Sequence, residues 1–402
     1  MAVLESLSDE LFVQILEDLH QSDLASTSLV SRRLRNISQP LLYREPHLLV
    51  SDQHPTSFDL FFGTLTPACA SLGTHARCLT VDWKSHHIRS GGYDLPNLVA
   101  ARAHLMLGDT SISEIRQVVL LLQLMPFLQG LHLRLHDSRS VSVWPEPLQL
   151  TVLPPTLRDF TYEWPAPINL INLENMLTIL RLPRIQSIVL CRLPISLYTE
   201  AGKTLIAAAA GTSSLTHLTI RSDSMGLQEL QSILSIPCAL THFVYQPSHS
   251  CWGASFAALG LALLPLQHSL TSLLLDFRSS LWRTRRPTTT IGSLRDWAVL
   301  KTVTCVLRVL IASDSHGLAA VLPPGICELD ILEDADVPLG EAVKEVGALL
   351  AAAEMVPGLE RVRVYAGRKK SKRLRRRLRK ACSAEGVAFE DGSGFELSRW
   401  EV

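Results

Sequence analysis

The stretch LTHLTIRSDSMGLQELQSILSIPCALTHFVYQ, Leu215–Gln246, decides the fold. It opens and closes on one short pattern: an apolar residue, two arbitrary ones, an apolar residue, one arbitrary and an apolar residue. The first copy is Leu215-Leu218-Ile220 and the second Leu240-Phe243-Tyr245. The period of two at the end of each copy predicts a short strand with one buried face. Between them GLQELQSIL, 226–234, places apolar residues at helical spacing. The stretch therefore holds one strand and one helix before the pattern returns.

The same pattern recurs at Leu128-Leu131-Leu133, Leu157-Phe160-Tyr162, Ile185-Ile188-Leu190, Leu270-Leu273-Leu275, Leu300-Val303-Cys305, Ile326-Leu329-Ile331 and Leu359-Val362-Val364. An isolated earlier candidate is RCLTVDW, with Leu79 and Val81. The middle residues of successive copies lie 25 to 33 residues apart, close to the period of leucine-rich repeats. Helix-like segments at 111–125, 169–180, 199–210, 252–263 and 338–354 fill most of the intervals. Each unit can bury its apolar face only against its neighbours, which predicts an α/β solenoid with strands on a concave inner face. A doubly wound α/β domain also alternates strand and helix. It needs longer apolar strands and a glycine-rich first turn, and the sequence has neither.

A different pattern precedes the repeats. Ser8 is placed to cap a helix, with Asp9 and Glu10 in its first turn, and Leu11, Phe12, Ile15, Leu16 and Leu19 follow on one face. Ser22 and Asp23 read as a second helix start, and Ser31 with Arg32 and Arg33 as a third. Three short helices in about 40 residues make a unit too small to be stable without help, and it contains neither cysteine nor a metal-ligand set, so a partner is implied. LSDELFVQILEDL, SLVSRRLR (Ser28–Arg35) and PLLYR (Pro40–Arg44) resemble an F-box, in the form common among fungal F-box proteins. Ser8 stands where that family usually has proline. SLRDWAVLKTVT (293–304) and LPPGICELDIL (322–332) resemble segments of fungal F-box proteins with leucine-rich repeats.

The resemblance implies an α/β chain with a three-helix F-box at 1–46, a linker and first irregular elements at 47–75, a leucine-rich-repeat horseshoe at 76–392 and a tail at 393–402. It implies a SKP-type adaptor and, through it, a cullin ubiquitin ligase as partner. The matching apolar positions are Leu7, Leu11, Ile15, Leu16, Leu24, Leu29, Val30 and Leu34; some face the adaptor and some hold the module together. The remaining partner is a protein target.

Strand alternation sends the residues flanking the buried positions to the opposite, concave face. The candidate target contacts there are His132, Arg134, Glu163, His217, Arg221, His242, Gln246, Asp276, Asp330 and Arg363.

Composition narrows the rest. The 38 Lys+Arg balance 38 Asp+Glu, yet RKKSKRLRRRLRK at 368–380 holds ten basic residues and no acid, leaving 28 basic against 38 acidic elsewhere. Leu374, Leu378 and Ala381 recur there at helical spacing, Gly386 ends the helix, and VAFE reads as a final strand. A solvated cationic last helix is the simplest account, with nuclear import or a contact with nucleic acid or acidic protein through 368–380 as sharper ones. No aromatics interleave the run to stack bases, so nucleic acid is not the expected partner.

The eight cysteines are scattered singly, without a Cys-x-x-Cys pair, and predict reduced thiols. His132 and His136 would stand about 13 Å apart along a strand, too far to share an ion. No nucleophile elbow, phosphate loop or His-Glu-x-x-His occurs, so no enzyme, metal or cofactor is expected. Acids at Glu5, Asp9 and Glu10 interrupt any signal-like apolar run, and the longest apolar stretch, 254–266, is short of a membrane span. The expectation is a cytoplasmic or nuclear monomer within a hetero-complex.

Overall fold

The computed structural model describes residues 7–51, 57–65, 70–84, 118, 120–135, 153–163, 173–191, 200–222, 227–247, 256–278, 289–311, 317–333, 339–365 and 372–392. His136, the first half of the 111–125 segment, the start of the basic run and the 393–402 tail lie outside them. The chain divides into two compact units, Met1–Ile171 with Leu182–Ile185, and Asn172–Arg181 with Gln186–Val402.

The first unit begins with helices α1 (Asp9–Glu17), α2 (Gln21–Ser28) and α3 (Arg32–Leu42). The Ser8 hydroxyl accepts the Leu11 N–H at 3.4 Å, and the Ser31 hydroxyl accepts that of Leu34 at 3.2 Å, so both serines cap helices as their positions predict. The start of α2 differs. The helix opens at Gln21, and the acceptor is Nδ1 of His20, 3.5 Å from the Ser22 N–H, because the imidazole nitrogen does the work expected of the serine oxygen.

Strands β1 (His47–Ser51), β2 (Cys78–Lys84), β3 (Gly130–Leu135) and β4 (Asp159–Glu163) follow, with helices α4 (Ser57–Leu65) and α5 (Ala70–Gly73) between β1 and β2. The four strands run parallel in chain order. The helices lead straight into this sheet: the Arg44 carbonyl accepts N–H groups from Arg77 and Cys78 at 2.7 and 3.2 Å, and the Pro46 carbonyl that of Thr80 at 3.0 Å. The sheet thus starts at His47, inside the segment set aside as linker and first elements.

The second unit comprises α6 (Leu173–Leu180), β5 (Ser187–Cys191), α7 (Glu200–Ala209), β6 (His217–Ser222), α8 (Leu227–Leu234), β7 (His242–Pro247), α9 (Phe256–Leu263), β8 (Ser272–Leu275), β9 (Thr302–Val306), α10 (Leu307–Leu310), α11 (Leu318–Val321), β10 (Glu328–Leu332), α12 (Leu339–Ala351), β11 (Arg361–Tyr365), α13 (Lys372–Ala384) and β12 (Ala388–Gly392). Strands β5 to β12 are parallel and again in chain order. In neither unit does the order reverse, as a doubly wound sheet requires. In each unit the strands form an open parallel array with helical crossovers, an arrangement compatible with a solenoid.

Strands β3 to β11 fall on the nine pattern copies, β2 on RCLTVDW and β12 on VAFE. The pattern is also in register. Ile188, Leu218, Phe243, Leu273, Val303, Leu329 and Val362 are successive cross-strand neighbours, as are Leu190, Ile220, Tyr245, Leu275, Cys305, Ile331 and Val364. All fourteen are at most 3% exposed. At roughly 1.5–3 kcal/mol for each large apolar side chain buried, these two rows outweigh any single polar contact in fixing the fold. A slip of one residue would turn a whole row to the other face.

A second device repeats with the strands. Just before each strand, two successive N–H groups share one carbonyl of the preceding repeat: Thr216 and His217 on Gln186, Thr241 and His242 on Thr216, Thr271 and Ser272 on Thr241, Lys301 and Thr302 on Thr271. The hydroxyls of Thr216, Thr241 and Thr271 donate to the same carbonyls at 3.1, 3.0 and 2.9 Å. The Leu-Thr start of these three copies was visible in the sequence and carries this ladder.

The strand faces depart from simple alternation. All residues of β5 and β8 are buried, and the flanking positions Val189, Thr219, Val244, Leu274, Thr304 and Asp330 are all at or below 7% exposure. Among the described residues no helix is long and apolar enough to cross a membrane.

Candidate functional site

Two surfaces hold the residues singled out by the sequence. In the helical module, Phe12, Leu16, Leu24 and Ile37 form a small core, with Leu7, Val13, Leu34, Leu41 and Leu42 packed against it. Arg33 ties its ends together: the guanidinium lies 5.1 Å over the Phe12 ring, pairs with Asp9 at 2.8 Å and donates to the Leu7 carbonyl. Arg44 pairs with Glu17 at 2.8 Å, and the Gln21 amide donates to the Glu45 carbonyl at 2.6 Å. Glu10 is held below the usual carboxylate range by its backbone hydrogen bond and by Ser8.

This core separates the eight apolar candidates. Leu16 and Leu24 are 4% exposed and belong to the core, with Leu7 and Leu34 at its margin. Leu11 and Ile15 are 46% and 53% exposed, and Leu29 and Val30 77% and 70%. Leu29 and Val30 are not helical but lie in the turn that follows α2. Leu19, on the same apolar face in sequence and 36% exposed, joins the outward group. The signal for it was present in the helical spacing.

The module thus closes its core and leaves Leu11, Ile15, Leu19, Leu29 and Val30 in water. A family model described as F-box-like matches residues 4–49. Residues 4–49 are an F-box-like domain. F-box domains in general are non-catalytic and bind Skp1-type adaptors of cullin ligases. No curated protein matches the chain.

The second surface is the flanking face of the strands, taken unit by unit. Behind the F-box-like domain, His132, Arg134 and Glu163 are part-exposed, with Arg134 and Glu163 paired at 3.6 Å. In the second unit His217 and His242 are cross-strand neighbours whose rings stack at 4.1 Å and 13°. Since the Thr216 and Thr241 hydroxyls donate to carbonyls, they accept from Nδ1–H of His217 and His242, each at 2.9 Å. That fixes both tautomers and leaves Nε2 as the site of protonation. Burial holds both imidazoles below their ordinary pKa, and His217 adds to the effect on His242. Arg221 and Gln246 stand opposite each other in the next exposed row.

Asp276 and Asp330 do not belong to an accessible face. Asp276 is 1% exposed and accepts from Arg278 Nε and Nη2, both at 2.9 Å, and from Gln246 at 3.3 Å. Asp330 is fully buried; it accepts from Arg363 Nε at 2.7 Å and from Thr304 at 3.3 Å. Arg363 also meets Glu328 and Glu390, and Arg361 bridges the same two carboxylates. These three carboxylates and two guanidiniums pair with one another across β10, β11 and β12 and serve the sheet. Burial drives the Asp330 carboxyl upward against the pull of Arg363. Among the described residues no three His, Cys, Asp or Glu side chains gather to hold a metal.

Proposed function

We propose that the chain is the substrate receptor of an SCF-type ubiquitin ligase, in which the F-box-like domain docks on a SKP-type adaptor and a leucine-rich-repeat solenoid holds a protein target. The observation that carries the first half is the outward apolar set Leu11, Ile15, Leu29 and Val30 over a core that closes without them. Covering each such side chain contributes roughly 1–2 kcal/mol, enough together for a stable protein contact. Leu16, Leu24 and Leu34 then act by shaping that surface and not by touching the adaptor.

For the target, the regular strand array in each unit supports a recognition surface of its own. The accessible members are His132, Arg134 and Glu163 in the first unit, and, separately, His217, Arg221, His242 and Gln246 in the second. The protein performs no bond chemistry in this scheme; it raises the effective concentration of target near the loaded enzyme. Pull-down of the full chain with a SKP-type adaptor and a cullin tests the assignment. Recovery of both is the expected result, adaptor without cullin would indicate a scaffold outside the ligase, and failure to recover the adaptor would overturn the proposal.

A further inference from the structure

The basic run lies on α13, and the structure sorts its two sides. Leu378 and Cys382 are buried at 1% and 0%, so their side of the helix packs on the domain. Arg373, Arg376, Arg377, Arg379 and Lys380 are exposed. Arg379 also lies 5.9 Å over the Phe389 ring of β12, which orients it without neutralising it. Residues Lys372–Ala384 include no acid, and the nearby Glu390 is already engaged by Arg361 and Arg363. Gly386, at φ +72°, closes the helix: Val387 N–H reaches the Cys382 carbonyl at 2.9 Å and Gly386 N–H that of Ser383 at 3.5 Å. Among the described residues the five cations therefore face no counter-charge.

Its charge density names the partner. Five cations between residues 373 and 380 span about 11 Å of helix axis at 1.5 Å per residue, or one charge per ~2 Å. Double-stranded DNA carries one phosphate charge per ~1.7 Å of its axis. An extended acidic peptide offers at most one per ~3.3 Å. Four of the five cations are arginines, whose forked donors match phosphate oxygens two at a time. We infer that α13 binds the phosphate backbone of double-stranded DNA, without reading sequence. The inference departs from the sequence-based expectation, which weighed base stacking; a backbone contact needs no aromatic residue.

The test is fluorescence anisotropy of a labelled 20-base-pair DNA duplex with the full chain, across salt. Five neutralised phosphates predict a log K against log salt slope near −4.5, so affinity falls about 500-fold between 50 and 200 mM salt. Two duplexes of unrelated sequence should bind alike. The variant Arg373→Gln/Arg376→Gln/Arg377→Gln/Lys380→Gln should retain a slope near −1. If that variant loses its thermal unfolding transition, the milder Arg376→Gln/Lys380→Gln should give about −2.7. No binding at 50 mM salt, a slope unchanged by either variant, or equal affinity for poly-glutamate would overturn the inference, the last by assigning the face to acidic protein.

Discussion

Replacing Leu11 and Ile15 together by aspartate tests the docking face most directly. Both side chains are about half exposed, so the free domain gives up only their inward halves, roughly 1 kcal/mol each, while Phe12 and Leu16 keep the core closed. In the complex the cost is larger. The outward halves lose their burial, again about 1 kcal/mol each, and each new carboxylate is buried without a partner at roughly 1–3 kcal/mol. The expected loss of adaptor affinity is about 4–8 kcal/mol, roughly 700-fold or more in Kd at 1.4 kcal/mol per decade. Isothermal titration of the SKP-type adaptor into the full chain measures it, with thermal unfolding of the same samples as control. A folded variant that keeps its affinity within tenfold would refute the reasoning, because the side chains would then have no partner to lose.

Other expectations follow from the same geometry. Phe12→Ala or Leu16→Ala should destabilise the F-box-like domain by about 2–5 kcal/mol in denaturant titration, unlike Leu29→Ala, which should stay within ~0.5 kcal/mol. Arg363→Gln, which leaves the buried Asp330 carboxylate without its main partner, should cost about 3–5 kcal/mol, whereas Asp330→Asn should cost clearly less; the reverse order in urea unfolding would show that burial does not dominate at Asp330. The lowered imidazoles of His217 and His242 mean that the folded state binds fewer protons than the unfolded chain below about pH 6.5, so their contribution to stability falls as pH drops through that value. The unfolding midpoint should therefore drop more between pH 7 and pH 5 in the native chain than in His217→Gln/His242→Gln. Gly260→Ala would place a methyl 1.8 Å from the Ile291 carbonyl oxygen, and a clear fall in unfolding temperature should follow, since the contact is with backbone.

Much of the strand layout was legible because a period of two survives even in a short strand. Leu215-Leu218-Ile220 and its eight counterparts mark β3 to β11, and the Gly386 turn and VAFE mark the end of the last helix and β12. HLLVS was passed over because β1 lacks a full copy of the pattern. On the F-box-like domain, Ser8 and Ser31 read correctly as caps since a cap is a local contact. His20 did not, because an imidazole acceptor leaves no propensity signal.

What the sequence by itself determined is the phase of each element: which residues share a strand face, which share a helix face, and that a small helical module precedes the strands. Only the tertiary structure decided which side of that phase meets water. Leu11 and Phe12 are neighbours on one amphipathic helix, yet one is exposed and the other is core. Asp330 occupies a position that alternation sends to an open surface, yet it is fully buried against Arg363. The physical reason is the same in both places. Periodicity fixes a side chain's direction relative to its own backbone, while burial depends on what other segments bring to that side, and those contacts join residues that lie far apart in sequence.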